Sequence, residues 1–260
     1  VNTRLWSVFA QADYKPNDKW NITVGISSNL HNISITRFSS LPLQPQQRRY
    51  NNELAPRLAV LRKLNRSASV YASVAKGFSP PTSTEVLPST GVISTQLNAE
   101  NGWNYELGAR ASTSGNKLFI DINLFYFQLN NTIVQRRDAA GADFFINAGG
   151  SEQQGIEALI NYQPVKAVTI WTSYTYHNFR FREFRQLAND FSGNRLPGVA
   201  THQLNGGAEI KLASGLYSNF IINYTGPIAL NDANTFFSQS YVLGNLRTGC
   251  KLSLIHISEP

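Results

Sequence analysis

The 260-residue chain has no methionine, a single cysteine and little charge. Charged residues make up 15% of it, against roughly 25% in ordinary soluble domains. Each shortage excludes something. Cys250 has no second cysteine to pair with, which removes the disulfide-stapled secreted scaffolds. No stretch approaches ~18 consecutive apolar residues, which removes a membrane-spanning helix. Without methionine there is no initiator, and Val1 runs at once into strand-like sequence with neither the basic nor the apolar segment of a signal peptide. The expectation is a portion of a longer protein. His31, His177, His202 and His256 are scattered, no His, Cys, Asp or Glu pair has metal-ligand spacing, and no Gly-rich phosphate loop occurs. The chain therefore reads as neither an enzyme nor the holder of its own metal or cofactor. Its net charge of +7 comes without a dense Lys/Arg run, so nucleic acid is not an expected partner.

What the chain does have is aromatic surface and strict alternation. Its 15 Phe, 11 Tyr and 4 Trp carry too much apolar surface for a disordered segment. From 20 to 30, Trp20, Ile22, Val24, Ile26 and Leu30 point one way, and Asn21, Thr23, Gly25, Ser27 and Asn29 the other. The same period of two recurs from 103 to 111, 118 to 126, 156 to 162, 168 to 176, 204 to 212 and 216 to 224. Runs of about nine or more residues are long enough to cross a hydrocarbon core at a tilt of ~45°. Trp6, Tyr14, Trp20, Trp103, Tyr126, Tyr162, Tyr174, Tyr176 and Tyr224 fall near the run ends, where interfacial girdles would use them.

Short polar turns are expected at 15–19 (KPNDK), 65–68 (NRSA), 113–116 (TSGN), 163–166 (QPVK) and 213–215 (ASG). Long irregular segments lie between them, near 31–54, 79–102, 131–146, 180–199 and 225–239. Short and long connections thus alternate, as an up-and-down barrel with one tight end and one elaborate end requires. A kelch-type propeller has a similar repeat length but needs four short strands per repeat where two long ones are found. About eleven strands can be counted, an odd number with two open edges, so the expected fold is an all-β transmembrane antiparallel up-and-down barrel, of which this is a fragment.

Specific phrases then resemble the TonB-dependent outer-membrane receptors, in the second half of their 22-stranded barrel. They are APRLAVLRKL (55–64) with SVYASVAKGFSPPT (69–82), LNAENGWNYELGAR (97–110), INAGGSEQQGIEA (146–158), GNRLPGVATHQL (193–204) and LNDANTFFSQSYVLGNLRTG (230–249). Ala200 stands where the family commonly has Pro, and Cys250 where it has an aromatic. The tail LSLIHISEP does not resemble the family's next strand, so residues 1–250 are expected to be barrel and 251–260 of foreign origin. The resemblance implies an active importer of a ferric siderophore in the bacterial outer membrane, driven by the TonB energy-coupling complex through an absent N-terminal part. Iron would arrive inside its chelator. Cobalamin, haem and oligosaccharide importers share these motifs, and a passive porin shares the alternation.

Lys15, Lys19, Arg62, Lys63, Arg66, Lys117, Lys166 and Lys211 cluster at the short turns, placed by the resemblance at the periplasmic end against anionic lipid. The long segments carry Arg48, Arg49 and Tyr50, then Arg136, Arg137, Phe144 and Phe145, then Arg180, Arg182 and Arg185 with Phe179, Phe181 and Phe184. Arginine beside an aromatic ring suits an anionic, partly aromatic ligand. The competing reading has these arginines balanced by Glu53, Asp138, Asp143, Glu183 and Asp190, or bound to lipopolysaccharide phosphates. His31 opens a long segment and reads as a solvated loop residue, and His177 and His202 as rim residues. Glu106, Arg110, Asp121, Glu157 and Glu209 alternate with the apolar positions, and the resemblance implies that they face the plug domain.

Overall fold

The computed structural model describes residues 2–35, 46–50, 54–87, 94, 96–113, 115, 117–186 and 189–251. The strands are β1 (Asn2–Asn17), β2 (Trp20–Ile35), β3 (Gln46–Tyr50), β4 (Leu54–Lys63), β5 (Ala68–Ser79), β6 (Glu100–Ser112), β7 (Leu118–Asn130), β8 (Ile133–Arg137) and β9 (Asp143–Asn147). They continue with β10 (Gly150–Val165), β11 (Val168–Glu183), β12 (Arg185–Gln186), β13 (Asn189–Asp190), β14 (His202–Lys211), β15 (Leu216–Thr225) and β16 (Tyr241–Cys250). One short helix, α1 (Ser83–Val86), is capped by Thr82 and Glu85 in a reciprocal capping box.

One antiparallel sheet runs β1-β2-β4-β5-β6-β7-β10-β11-β14-β15-β16, with β3 added against the far end of β2. Its eleven-strand path matches the count made from sequence, and the result is a partial barrel wall with β1 and β16 at its edges. The short connections 18–19, 64–67, 113–117, 166–167 and 212–215 lie at one end and the long ones at the other. Two turns come later than the residue pattern suggests, because β1 runs through Asn17 and β10 through Val165, with register shifts after Tyr14 and after Tyr162. The long segments are also less irregular than expected. β3, the β8–β9 hairpin and the β12–β13 pair lie within them. Residues 252–260, with His256 and Glu259, lie outside the described residues.

Register decides which side chains share a face. Leu107 faces Ala72 and Leu124, Leu124 faces Ile156, and Ile156 faces Tyr176, so the alternating apolar residues join into one continuous outer face. All nine end-of-run aromatics named above occupy that face, Trp20 with the Arg62 guanidinium 5.1 Å from its ring. Its aliphatic side chains stay exposed within the protein, Leu107 at 56% and Ile122 at 42%, as a wall that meets hydrocarbon requires. The inner face is polar, and four of its glycines sit directly opposite an aromatic residue on the next strand. These are Gly108 opposite Tyr71, Gly155 opposite Phe125, Gly207 opposite Trp171 and Gly249 opposite Tyr217. A Cβ at Gly108 would stand 2.2 Å from the Tyr71 ring, so only glycine lets the ring lie flat on the wall.

Among the described residues, buried apolar cores form beyond the wall, at the long-connection end. One gathers Ile33, Ile35, Tyr50 and Val86, with Phe78, Leu87 and Ala99 packed against it. The other gathers Ala148, Phe181 and Phe184, with Val134, Phe191 and Leu196.

Candidate functional site

The five charged residues expected to face inward all occupy the inner face, but they differ in how they are compensated. Arg110 Nε lies 2.7 Å from Asp121 Oδ2, with its guanidinium 5.2 Å from the Tyr71 ring. Glu209 is paired with Lys211 at 2.8 Å. Glu106 instead accepts hydrogen bonds from Asn104 Nδ2 (2.7 Å) and Ser73 Oγ (3.4 Å), and neither it nor Glu157 has an ion-pair partner among the described residues. The structure brings these two together in an open cavity of about 480 Å³ that is also lined by Phe125, Phe127, Phe179 and His177. Phe125 and Phe179 meet edge to face, 6.1 Å apart, and the His177 ring stands 4.8 Å from Phe179. Lys76 also lines the cavity, so two carboxylates share it with one cation beside an aromatic shelf, and the remaining negative charge favours cationic, partly apolar groups.

Sequence reasoning placed Phe179 in a loop cluster and set His177 aside as a rim residue. β11 carries both onto the inner face, in step with Thr175 and Ser173, while His177 Nδ1 is 3.1 Å from the Ala200 carbonyl. The apolar alternation lapses after Tyr176, where Asn178 takes the apolar side and Phe179 the polar one, so only the strand's continuation to Glu183 shows that both residues keep the inward parity of Ser173 and Thr175.

The loop arginines are mostly tied to the protein itself. Arg48 and Arg49 lie on β3, where Tyr50 pairs with His31. His31 is buried rather than solvated, its ring 5.7 Å from that of Tyr50. Burial pushes the His31 pKa down and that of Tyr50 up. Arg48 stands 5.5 Å from the Tyr50 ring and donates to Asn98 Oδ1 at 3.3 Å, while Arg49 is exposed. Arg136 is paired with Asp232 at 2.9 Å and lies 4.8 Å over Phe184, which joins three long connections. Asp232 went unnoticed in the sequence because nothing local distinguishes it. Arg137–Asp143 (2.8 Å) and Arg185–Asp190 (3.0 Å) are pairs within their own hairpins. The Arg137 hydrogen bond holds the Asp143 carboxyl below its usual range. Phe144 and Phe145 are on β9, half-buried, with Phe144 opposite Arg136. Arg180 and Arg182 fall on the outer face, in step with Tyr174 and Tyr176, on the side away from the cavity. His202 shares that face, 2.9 Å from the Tyr174 hydroxyl.

Glu100, at the head of β6, is pushed up in pKa by burial while accepting the Ile133 N–H at 2.8 Å. It anchors the start of β8 to the barrel wall. No group of three or more His, Cys, Asp and Glu among the described residues could hold a metal ion.

The family model described as TonB dependent receptor-like, beta-barrel matches residues 1–254. Among solved structures, the siderophore receptor PiuA from Acinetobacter baumannii superposes with a TM-score of 0.77 at 18% identity, over 96% of this chain and 37% of that one. The ferric citrate transporter FecA gives 0.76 at 21% identity, over 97% and 38%. The copper transporter OprC gives 0.79 at 12% identity, over 96% and 40%. The chain thus spans well under half the length of each of these proteins.

Proposed function

The chain belongs to the TonB-dependent receptors, as part of their barrel in the bacterial outer membrane, and on that premise we propose that the intact protein imports a ferric siderophore with energy from the TonB complex. The observation that carries this reading is the division of the wall. A continuous apolar outer face backs an inner face where Glu106 and Glu157 share one cavity and neither has an ion-pair partner among the described residues. Two carboxylates against the one lysine, Lys76, that lines the same cavity leave negative charge for a basic partner inside the barrel, and a plug domain supplies it. Glu106 and Glu157 hold that plug by ion pairs, while Arg110, Asp121 and Glu209, already compensated, line the wall beside it.

In this reading the exposed long connections capture the cargo, with Arg49 and the surface of the β8–β9 hairpin as the first contacts. The plug rearranges when the inner-membrane motor pulls on its N-terminal segment, and the cargo passes along the polar inner face. Siderophore is favoured as cargo because PiuA is a siderophore receptor and FecA transports ferric citrate. Folds of this type are not restricted to iron, since OprC transports copper. The test is accumulation of labelled ferric siderophore by iron-starved cells carrying the intact receptor, with and without a protonophore. Saturable uptake lost on uncoupling is the expected result. Uptake indifferent to the protonophore means a passive channel, and absence of uptake redirects the search to cobalamin, haem, glycan or copper.

A further inference from the structure

One seam of the wall is incomplete. Every other pair of neighbours on the eleven-strand path stays in register until one of its strands ends. The β4–β5 register stops at Arg57–Ala75, whereas β4 runs on to Leu54 against β2, and β5 to Ser79 against β6. Pro56 stands at the break. It has no N–H to donate, and proline within a sheet belongs at an edge.

The break lies at the depth of hydrocarbon. Ile26, the register partner of Pro56, is six residues from the girdle residue Trp20. That is roughly 20 Å along the strand and about 15 Å in height at a tilt of ~40°, inside an apolar band about 25 Å tall. Backbone left open to lipid at that depth is costly, so the seam requires an occupant. On the outer face it borders an apolar hollow of about 710 Å³. Ala10 and Ala12 leave the space, Ile26, Pro56 and Leu58 line it, and Trp103 lines it from β6. On the inner face it borders the cavity of Glu106 and Glu157. Ala75 lines that cavity, and its register partner Arg57 lines the outer hollow, so bilayer and lumen meet across one rung of the sheet.

We propose that this seam takes the acyl tail of an amphiphilic metal chelate, whose head travels on the polar inner face while the tail stays in the outer hollow. The inference rests on the import reading above and names the class of cargo. Drawing a tail into the wet lumen would expose each methylene to water, and a seam open to the bilayer avoids that. The amide that joins tail to head lies in the seam, where it supplies hydrogen bonds that β4 does not receive from β5 above Arg57. The hollow is continuous with the hydrocarbon-facing wall on one side and abuts the inner cavity on the other, which is why the occupant is a tailed cargo and not a bilayer lipid.

The test uses the intact receptor in lipid nanodiscs and a ferric trihydroxamate acylated on its terminal amine with a dodecanoyl chain that carries a photoactivatable diazirine. Labelled residues are mapped by mass spectrometry. Labelling is expected at Ile26, Leu58 and Trp103, about tenfold above the outer-face residues Ile170 and Leu204. Excess acylated chelate without the diazirine should suppress it and the unacylated chelate should not, a comparison that needs no variant to fold. Ala12→Trp, which fills the hollow, should lower it about tenfold. A diazirine phospholipid in parallel separates the two sources of tail. Equal labelling of the hollow by that phospholipid, undiminished by excess acylated chelate, would mean that bilayer lipid occupies it and would overturn the inference. So would label spread evenly over the outer face, or unchanged label in an Ala12→Trp receptor shown to be folded by its heat-dependent gel mobility. Labelling of the hollow without protonophore-sensitive siderophore uptake removes the import reading alone. Such uptake without label at the hollow removes only the tail site.

Discussion

The wall and the cap of this protein solve the same problem with opposite partners. Along the wall, Val24, Leu107, Ile122, Leu124 and Ile156 remain exposed within the protein, and the hydrogen-bonded register, with inner-face contacts such as Arg110–Asp121 and Tyr71 over Gly108, holds the strands together. In the cap, Ile33, Tyr50, Val86, Phe181 and Phe184 are almost completely enclosed by protein. The wall leaves half of its packing to the bilayer, so its apolar residues can be read as a pattern but not as contacts. The cap must exclude water by itself and does so with small cores at long sequence separation.

The largest expected effect is in the cap. Phe181→Ala removes a ring that is 2% exposed and should cost about 3–5 kcal/mol locally. Hydrogen exchange should then speed up across 179–196 while amides near 105–109 keep their protection. Equal loosening of both would show one cooperative unit and erase the distinction. In the wall, Ile122→Arg, midway between Leu118 at the short-turn end and Tyr126, should cost about 2–4 kcal/mol near the bilayer midplane. Urea unfolding of the intact receptor in lipid vesicles measures it, with the inner-face change Asn123→Lys expected to stay within ~0.5 kcal/mol. If both substitutions cost the same, the assignment of faces is wrong.

Arg136→Ala should cost about 2 kcal/mol, because it strands the largely enclosed Asp232 and uncovers Phe184. Arg137→Ala, whose pair with Asp143 is exposed, should leave thermal stability unchanged. Hydrogen exchange around 226–240 separates the two. The smallest effect is one of pH. The pKa of His31 is lowered on folding, so the unfolded chain binds the proton more readily. Stability from this residue is complete above the unfolded value of about 6.5 and declines as pH falls below it. The ends of β2 and β3 should therefore exchange faster at pH 5.5 than at 7.5, and His31→Asn should flatten that difference.

Much of the wall was legible because a barrel strand repeats one instruction every second residue. The inner placement of Glu106, Arg110, Asp121, Glu157 and Glu209 followed from that period alone. Arg180 and Arg182 were grouped with loop residues because the polar stretch beyond Tyr176 looked like the end of a strand. Continuing the parity from Tyr174 and Tyr176 would have shown their outward side. The cap was scarcely legible. His31 looked solvated because it opens a polar segment, and only the return of β3 buries it against Tyr50.

The sequence by itself determined the strand count, the apolar and polar faces and the alternation of tight and elaborate ends, all of which depend on residues within one strand or turn. The tertiary structure decided which strands lend each other side chains. It laid Tyr71 over Gly108 and Phe125 over Gly155, set Glu106 and Glu157 on one cavity, and tied Arg136 to Asp232 and Phe184. Hydrophobic periodicity is a local property of the chain. Register and loop packing are pairwise properties of segments 30 to 100 residues apart, and no period in the sequence records them.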